Sequence, residues 1–306
     1  MDEPALRGPS RPAIHEHLLK TAQNLSAERH DVQRQLDQAR HTLAPVSAAE
    51  ERDWQRRLTE LAHLRDIVVE QATDIGVPAT ALDTVLMRGE QGRRWQRNQP
   101  TPRADTGDRL HLVNGLLAHV RRYNNMAAIA RAYEQRFGDS AGTASMYHRA
   151  AMDALHERIG AVAYALALSP TEREFVWGHS EYIVATMTTH YLDGDAADLV
   201  ARWDSDATGA NWQREYQQGE PLRAAGITRE AITAAGQLPP TPYALITALG
   251  SELSIRDHTA SAPERGGSAI SSAIEAADPS TDPTDPAGVE PDPPTGPDPA
   301  PPGLDP

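Results

Sequence analysis

Two long stretches of four-and-three-spaced apolar residues, separated only by a proline and a capping signal, constrain this chain more than any other feature. From Leu18 the positions Leu18, Ala22, Leu25, Arg29, Val32, Leu36, Ala39 and Leu43 are apolar in seven of eight cases. Steps averaging 3.5 residues keep one seam of a helix turned toward a partner. The pattern stops at Pro45, which lacks an N–H and clashes with the preceding turn. It resumes with Ser47-Ala48-Ala49-Glu50, a capping box in which Ser47 and Glu50 satisfy each other's backbone donors. A second stripe follows through Trp54, Leu58, Leu61, Arg65, Val68, Ala72 and Ile75, and ends at Gly76 before Pro78.

So short a connection predicts an antiparallel helical hairpin with coiled-coil-like packing, its first helix roughly 45 Å long at ~1.5 Å per residue. Its packing residues are Leu18, Leu25, Val32, Leu36 and Leu43 on one helix and Trp54, Leu58, Leu61 and Val68 on the other. Leu19, Leu64, Ile67 and Val69 widen the apolar face beyond what two helices need, which calls for a further partner, either a helix of this chain or a second copy. The two arginines in the stripe, Arg29 and Arg65, are expected at its edge, with their heads in water.

Residues 1–12, with three prolines, read as a flexible lead-in to a hairpin unit at 13–88. That unit includes a short third helix near Pro78–Leu86 for which Thr80 is a candidate cap. At 89–108 the apolar pattern disappears among Gly89, Gly92, Pro100, Pro102 and Gly107, and this marks an arginine-rich linker. Residues 109–257 read as a second, multi-helix domain. Its helices are expected from Asp108 to Gly138, with Asn124-Asn125 as a kink, and from Thr143 to Leu168. A third runs from the Ser169-Pro170-Thr171-Glu172 capping box to Tyr191, and a short one ends near Trp203. Residues 204–226 read as partly irregular, with Trp212 and Tyr216 as anchors, before final helices at Thr228–Ala235 and Thr241–Ile255.

Residues 258–306 hold 12 of the 24 prolines and nine acidic residues against one arginine. Such a segment buries too little apolar surface to offset the entropy of ordering it, so a disordered acidic proline-rich tail is expected. Aromatic residues make up only 5% of the chain and no strand-like alternation persists, so the fold class is all-α. No run of 18 apolar residues occurs, and no basic start leads into an apolar stretch, so the expectation is a cytoplasmic protein with no membrane segment.

The absence of cysteine removes disulfides and thiolate chemistry. Glu60 and His63 have the spacing of a di-metal helix motif without the second copy such a site requires, and read as a solvated pair. Neither phosphate-binding glycine loop occurs, nor does a GxSxG elbow. No catalytic, cofactor or metal set is therefore assigned. The function expected is non-catalytic interaction or assembly, by self-association or with a protein partner, with the hairpin as docking surface. The alternative is a nucleic-acid-associated accessory or regulatory protein. It would use the segment 88–109, where Arg88, Arg93, Arg94 and Arg97 track phosphates while Trp95 stacks on a base. A helix-turn-helix-like unit at 126–155 would add Ser145, His148 and Arg149.

Overall fold

In the computed structural model the described residues are 8–41, 47–97, 99, 109–138 and 142–246, and all their regular structure is helical. The hairpin forms from α1 (Arg11–Arg40) and α2 (Ala48–Asp74). At the start of α2, Ser47 Oγ accepts from the Glu50 amide at 3.2 Å while the Glu50 carboxylate accepts from the Ser47 amide at 2.9 Å. Glycine ends this stretch as expected, with Gly76 at φ +80°. Cross-helix pairs fix the antiparallel register: Arg11 donates to the Ile75 carbonyl at 3.3 Å, Arg57 pairs with Glu28 at 2.6 Å, and Arg40 pairs with Glu51 near the turn. Leu43 and Pro45 lie outside the described residues.

The seam divides into two parts. Leu18 and Val68, with Ile14, Leu19, Ala22, Ala72 and Ile75, belong to the main core, which α3 (Ala79–Glu90) completes with Ala81, Leu82 and Val85. A side chain at Gly89 would collide with Ser26 and the Gln23 carbonyl of α1, so glycine sets how closely α3 approaches. Farther out, Val32, Leu36, Leu58 and Leu61 make a separate small cluster on which the half-buried Leu25 and Trp54 pack. Thr80 does not cap α3. Pro78 holds the N-cap position without a side-chain bond, because the helix starts one residue before Thr80.

The central element is α5 (Thr143–Leu166), whose residues Arg158 to Ala163 are buried without interruption and therefore on every side. It packs against α4 (Arg109–Phe137) and against α9 (Gly209–Ala224). In turn α4 is covered by α6 (Pro170–Trp177), α7 (Ser180–Asp193) and α8 (Ala196–Asp206). The short α10 (Arg229–Ala234), capped by Thr228, packs on α5, and a further helical turn occupies 242–246.

One apolar core runs from Ile14 to Leu245, across the boundary expected at 89–108, and Met1–Arg256 is a single compact unit. The wide face of the hairpin is the physical reason. Its inner half needs more partners than a hairpin supplies and finds them in α3, α5 and α9. Residues 257–306, where the proline-rich tail is expected, lie outside the described residues. No described helix is long and apolar enough to cross a membrane.

Three local expectations change. Asn124-Asn125 does not kink α4, because Asn124 donates to Ser180 Oγ at 3.2 Å and Asn125 accepts from the Tyr191 hydroxyl, so both amides are used in holding α7. The helix begun by the Ser169–Glu172 capping box stops at Trp177, and Gly178-His179 separates it from α7. Residues 204–226 are regular for most of their length, since Thr208 caps a sixteen-residue helix.

Candidate functional site

The arginine segment is fastened to α1. The Gln23 side chain donates to the Arg93 carbonyl at 2.9 Å, Asn24 accepts from the Trp95 amide at 3.0 Å, and Gln99 donates to Gln23 at 2.8 Å. Gly92, at φ +72°, lies against the His30 ring and gives the strip its turn. Arg93, Arg94 and Arg97 are exposed and Arg88 half-buried. Arg94 pairs with Asp31 at 3.2 Å. Trp95 is half-buried, with part of its ring packed on the main core. Arg109 belongs elsewhere. It donates to Glu172 at 2.7 Å and to the Leu166 carbonyl at 2.7 Å, joining the end of α5 to the start of α6. That contact holds the Glu172 carboxyl well below the usual carboxylate range, at about 2.

In the helix-turn-helix-like stretch, α5 does begin at Thr143, and Arg149 is exposed. His148 is 2% exposed, and its ring stacks on Trp203 with centroids 4.4 Å apart. Trp203 stacks in turn on Tyr133 at 4.7 Å. A histidine inside this ladder cannot reach a base edge.

On the hairpin, Leu18, Val32, Leu36, Leu58, Leu61 and Val68 are buried, while Leu25 and Trp54 are half-buried. Arg29 is exposed, and Arg65 reaches out to Asp66 at 2.7 Å, so both heads stay at the edge as expected. None of the large apolar side chains exposed on the described surface belongs to α1 or α2. The arm beyond about residue 28 is therefore a polar rod. It carries arginine–carboxylate pairs along each helix, including Arg34–Asp31, Arg56–Asp53 and Arg57–Glu60. Glu60 and His63 are exposed.

The most concentrated chemistry in the structure is a chain of polar groups between α2, α4, α5 and α9. Arg158 and Glu215 are 3% and 1% exposed, with Arg158 Nη2 3.7 Å from Glu215 Oε2. At that distance the contact is Coulombic rather than hydrogen-bonded, and both Glu215 Oε2 and Arg158 Nε lack a hydrogen-bond partner. Arg122 closes on the other carboxylate oxygen at 2.8 Å and on Asn211 Oδ1 at 3.0 Å. Arg158 also meets Gln218 and, at 3.0 Å, His119 Nδ1. Since a guanidinium only donates, His119 Nδ1 accepts, and its Nε2–H donates to Asp74 at 3.2 Å. This pattern places the imidazole hydrogen on Nε2. Burial pulls the Arg158 guanidinium down from its ordinary value, and Glu215 opposes that pull.

Sequence reasoning assigned none of these residues. They come from four helices, and the one local signal is that Asn211, Glu215 and Gly219 repeat every four residues with polar or small side chains where a core stripe belongs. The arrangement can orient four helices against one another. No protein-family model, curated protein or solved structure matches this chain.

Proposed function

We propose that this chain is a non-catalytic interaction protein whose N-terminal hairpin is its docking element. The supporting observation is the division of the seam. The inner half of α1 and α2 is committed to the main core, while the outer half rests only on Val32, Leu36, Leu58 and Leu61. Two helices joined by so few apolar residues bury little of their circumference, so their outer faces remain open to a further helix. Trp54, half-exposed on this arm, is the natural anchor, because tryptophan is enriched where partners bind.

Self-association of the whole chain is the direct test. Sedimentation velocity should show a concentration-dependent dimer, and Trp54→Arg should weaken it at least about tenfold, or ~1.4 kcal/mol, with helical content unchanged. A chain that stays monomeric to roughly 100 µM would sink the homotypic form. A charge at Leu61 would not serve, because Leu61 is 1% exposed and its loss would open the seam itself.

A second reading, association with nucleic acid, is favoured by the fastening of residues 93–99 to Gln23 and Asn24. This fastening holds exposed Arg93 and Arg97, which have no ion pair among the described residues, on a fixed strip. Binding of this kind should appear at low salt, fall steeply as salt rises, and be lost on replacing Arg93, Arg94 and Arg97 by Ala. Equal retention of the triple variant on DNA would discard it.

A further inference from the structure

The first turn of α1 is left open by its own sequence. Ser10 holds the N-cap position but its side chain makes no capping bond, Pro12 has no N–H, and no acidic residue lies in the turn. The amides of Arg11 and Ala13 therefore have no acceptor within the helix, and the aligned peptide dipoles concentrate partial positive charge there. By contrast α2, α6, α8, α9 and α10 each close their start with a Ser, Thr or Asp side chain.

This turn forms one wall of a recess of about 270 Å³, completed by Tyr164 and Ala167 at the end of α5 and by Ala235 and Gln237 after α10. The rim is tightly built. The Tyr164 hydroxyl donates to the Pro9 carbonyl at 3.4 Å, and a side chain at Gly8 would collide with that hydroxyl and with Ala231. Pro9, the Tyr164 ring and the Ala167 and Ala235 methyls make most of the lining apolar.

Two polar groups of the lining keep bonding capacity in reserve. Gln237 is 6% exposed, and its Nε2 donates to the Leu168 carbonyl at 3.0 Å. That bond orients the amide and leaves Oε1 without a hydrogen-bond partner, a costly state for a buried acceptor unless a donor reaches it. Arg11 is half-buried, donates to the Ile75 carbonyl at 3.3 Å and to His15 at 3.5 Å, and makes no ion pair among the described residues. Burial first, and then Arg109, pull its guanidinium below its ordinary value. No acid offsets them, since the wall-forming stretches 8–15, 164–168 and 231–237 contain no carboxylate. Of the acids around them, Glu172 is bonded to Arg109, Asp74 to His119, and Glu230 to its own amide and Thr228. Arg173, beside Gly236, adds a half-buried cation that also has no ion pair among the described residues.

We propose that this recess binds a small monocarboxylate with an apolar body and one hydrogen-bond donor. The carboxylate goes to the unused edge of the Arg11 guanidinium and the open amides of α1, both of which favour anionic oxygen. The body covers Pro9, Tyr164, Ala167 and Ala235, and the donor satisfies Gln237 Oε1. A cavity of about 150 Å³ holds benzene, and by that measure roughly ten non-hydrogen atoms fit here. Inorganic phosphate or sulfate suits the recess less well, because Gln237 Oε1 would face anionic oxygen and the apolar walls would stay uncovered.

This site is at the opposite end of α1 from the outer arm, so it goes beyond the docking role proposed there and stands or fails separately. The full chain is titrated with 4-hydroxybenzoate and followed by ligand-observed NMR. A Kd between about 50 µM and 5 mM is expected for a ligand of this size. Benzoate, which lacks the donor, should bind at least threefold more weakly, and 4-hydroxybenzyl alcohol, which lacks the carboxylate, at least tenfold. Ala235→Leu, at an exposed position, should fill the recess and abolish binding, and Arg11→Gln should weaken it at least tenfold. Far-UV circular dichroism and thermal midpoint show that both variants are folded. No binding at about 10 mM, equal binding of the alcohol, or binding indifferent to both variants overturns the proposal. So does binding that appears only when residues 1–7 are deleted, which would give the recess to that segment and its Asp2 and Glu3. The oligomeric state of Trp54→Arg reads the arm, and neither result bears on the other.

Discussion

Replacing Glu215 by Gln should destabilise the protein by about 3–5 kcal/mol, because it leaves Arg158 charged and nearly sealed from water without its counter-charge. Arg158→Met should cost a similar amount, since Glu215 would keep Arg122 but lose the partner at its other oxygen. The instructive variant is the double one. Arg158→Met with Glu215→Leu removes both charges together, and should recover most of either single loss, because desolvating an ion pair offsets much of its own attraction. Urea unfolding of the four proteins gives the coupling directly. Single changes that cost under about 1 kcal/mol would show that water reaches the pair. A double variant as unstable as the sum of the singles would show that the two residues act independently. If the pair serves specificity more than stability, the double variant should keep its helical content but lose sharpness in its thermal transition. The reason is that α2, α4, α5 and α9 are oriented by directional bonds running from Asp74 through His119 and Arg158 to Gln218.

The same residues show what the sequence could and could not reveal. The hairpin was legible because its stripe is leucine and valine at helical spacing, and its start is a local device needing only Ser47 and Glu50. The Ser169–Glu172 cap was legible for that reason too. Helix α9 was not, because apolar periodicity is the signal being read, and this helix buries Asn211, Glu215 and Gly219. Its Glu215 is at ease there only because Arg122 and Arg158 arrive from α4 and α5, 93 and 57 residues earlier in the chain. The anchorage of Trp95 was not legible either: its place among arginines is plain in the sequence, but not that Asn24 accepts from its amide, that Gln23 holds the neighbouring Arg93 carbonyl, or that its ring is half-buried. In each case a long-range polar contact decided the placement, and such contacts leave no period behind.

Acid should weaken this fold well before its carboxylates are protonated, and His148 should be a main cause. Burial against Trp203 pulls its imidazole down to about 4, from an ordinary value of 6.5. Between those values the unfolded chain binds a proton at this position that the folded chain refuses. The free energy of unfolding therefore rises with pH across the window, and stability is lost as pH falls from 6.5 toward 4. At 1.36 kcal/mol per unit the full loss from this group is roughly 3 kcal/mol. His15 and His156, also pulled down chiefly by burial, act in the same direction and leave a smaller residual slope when His148 is removed. His148→Phe keeps a flat ring against Trp203 and removes only the titration; it also discards Nε2, which has no hydrogen-bond partner. Its stability should lie within about 1–3 kcal/mol of wild type at pH 7.5, the range of a modest volume change in a packed core. The gap should then move in favour of the variant by roughly 3 kcal/mol as pH falls to 4. Urea midpoints at pH 7.5, 6.0, 5.0 and 4.2 test this, and parallel curves for the two proteins would mean that His148 is hydrated, with the ladder open on that side.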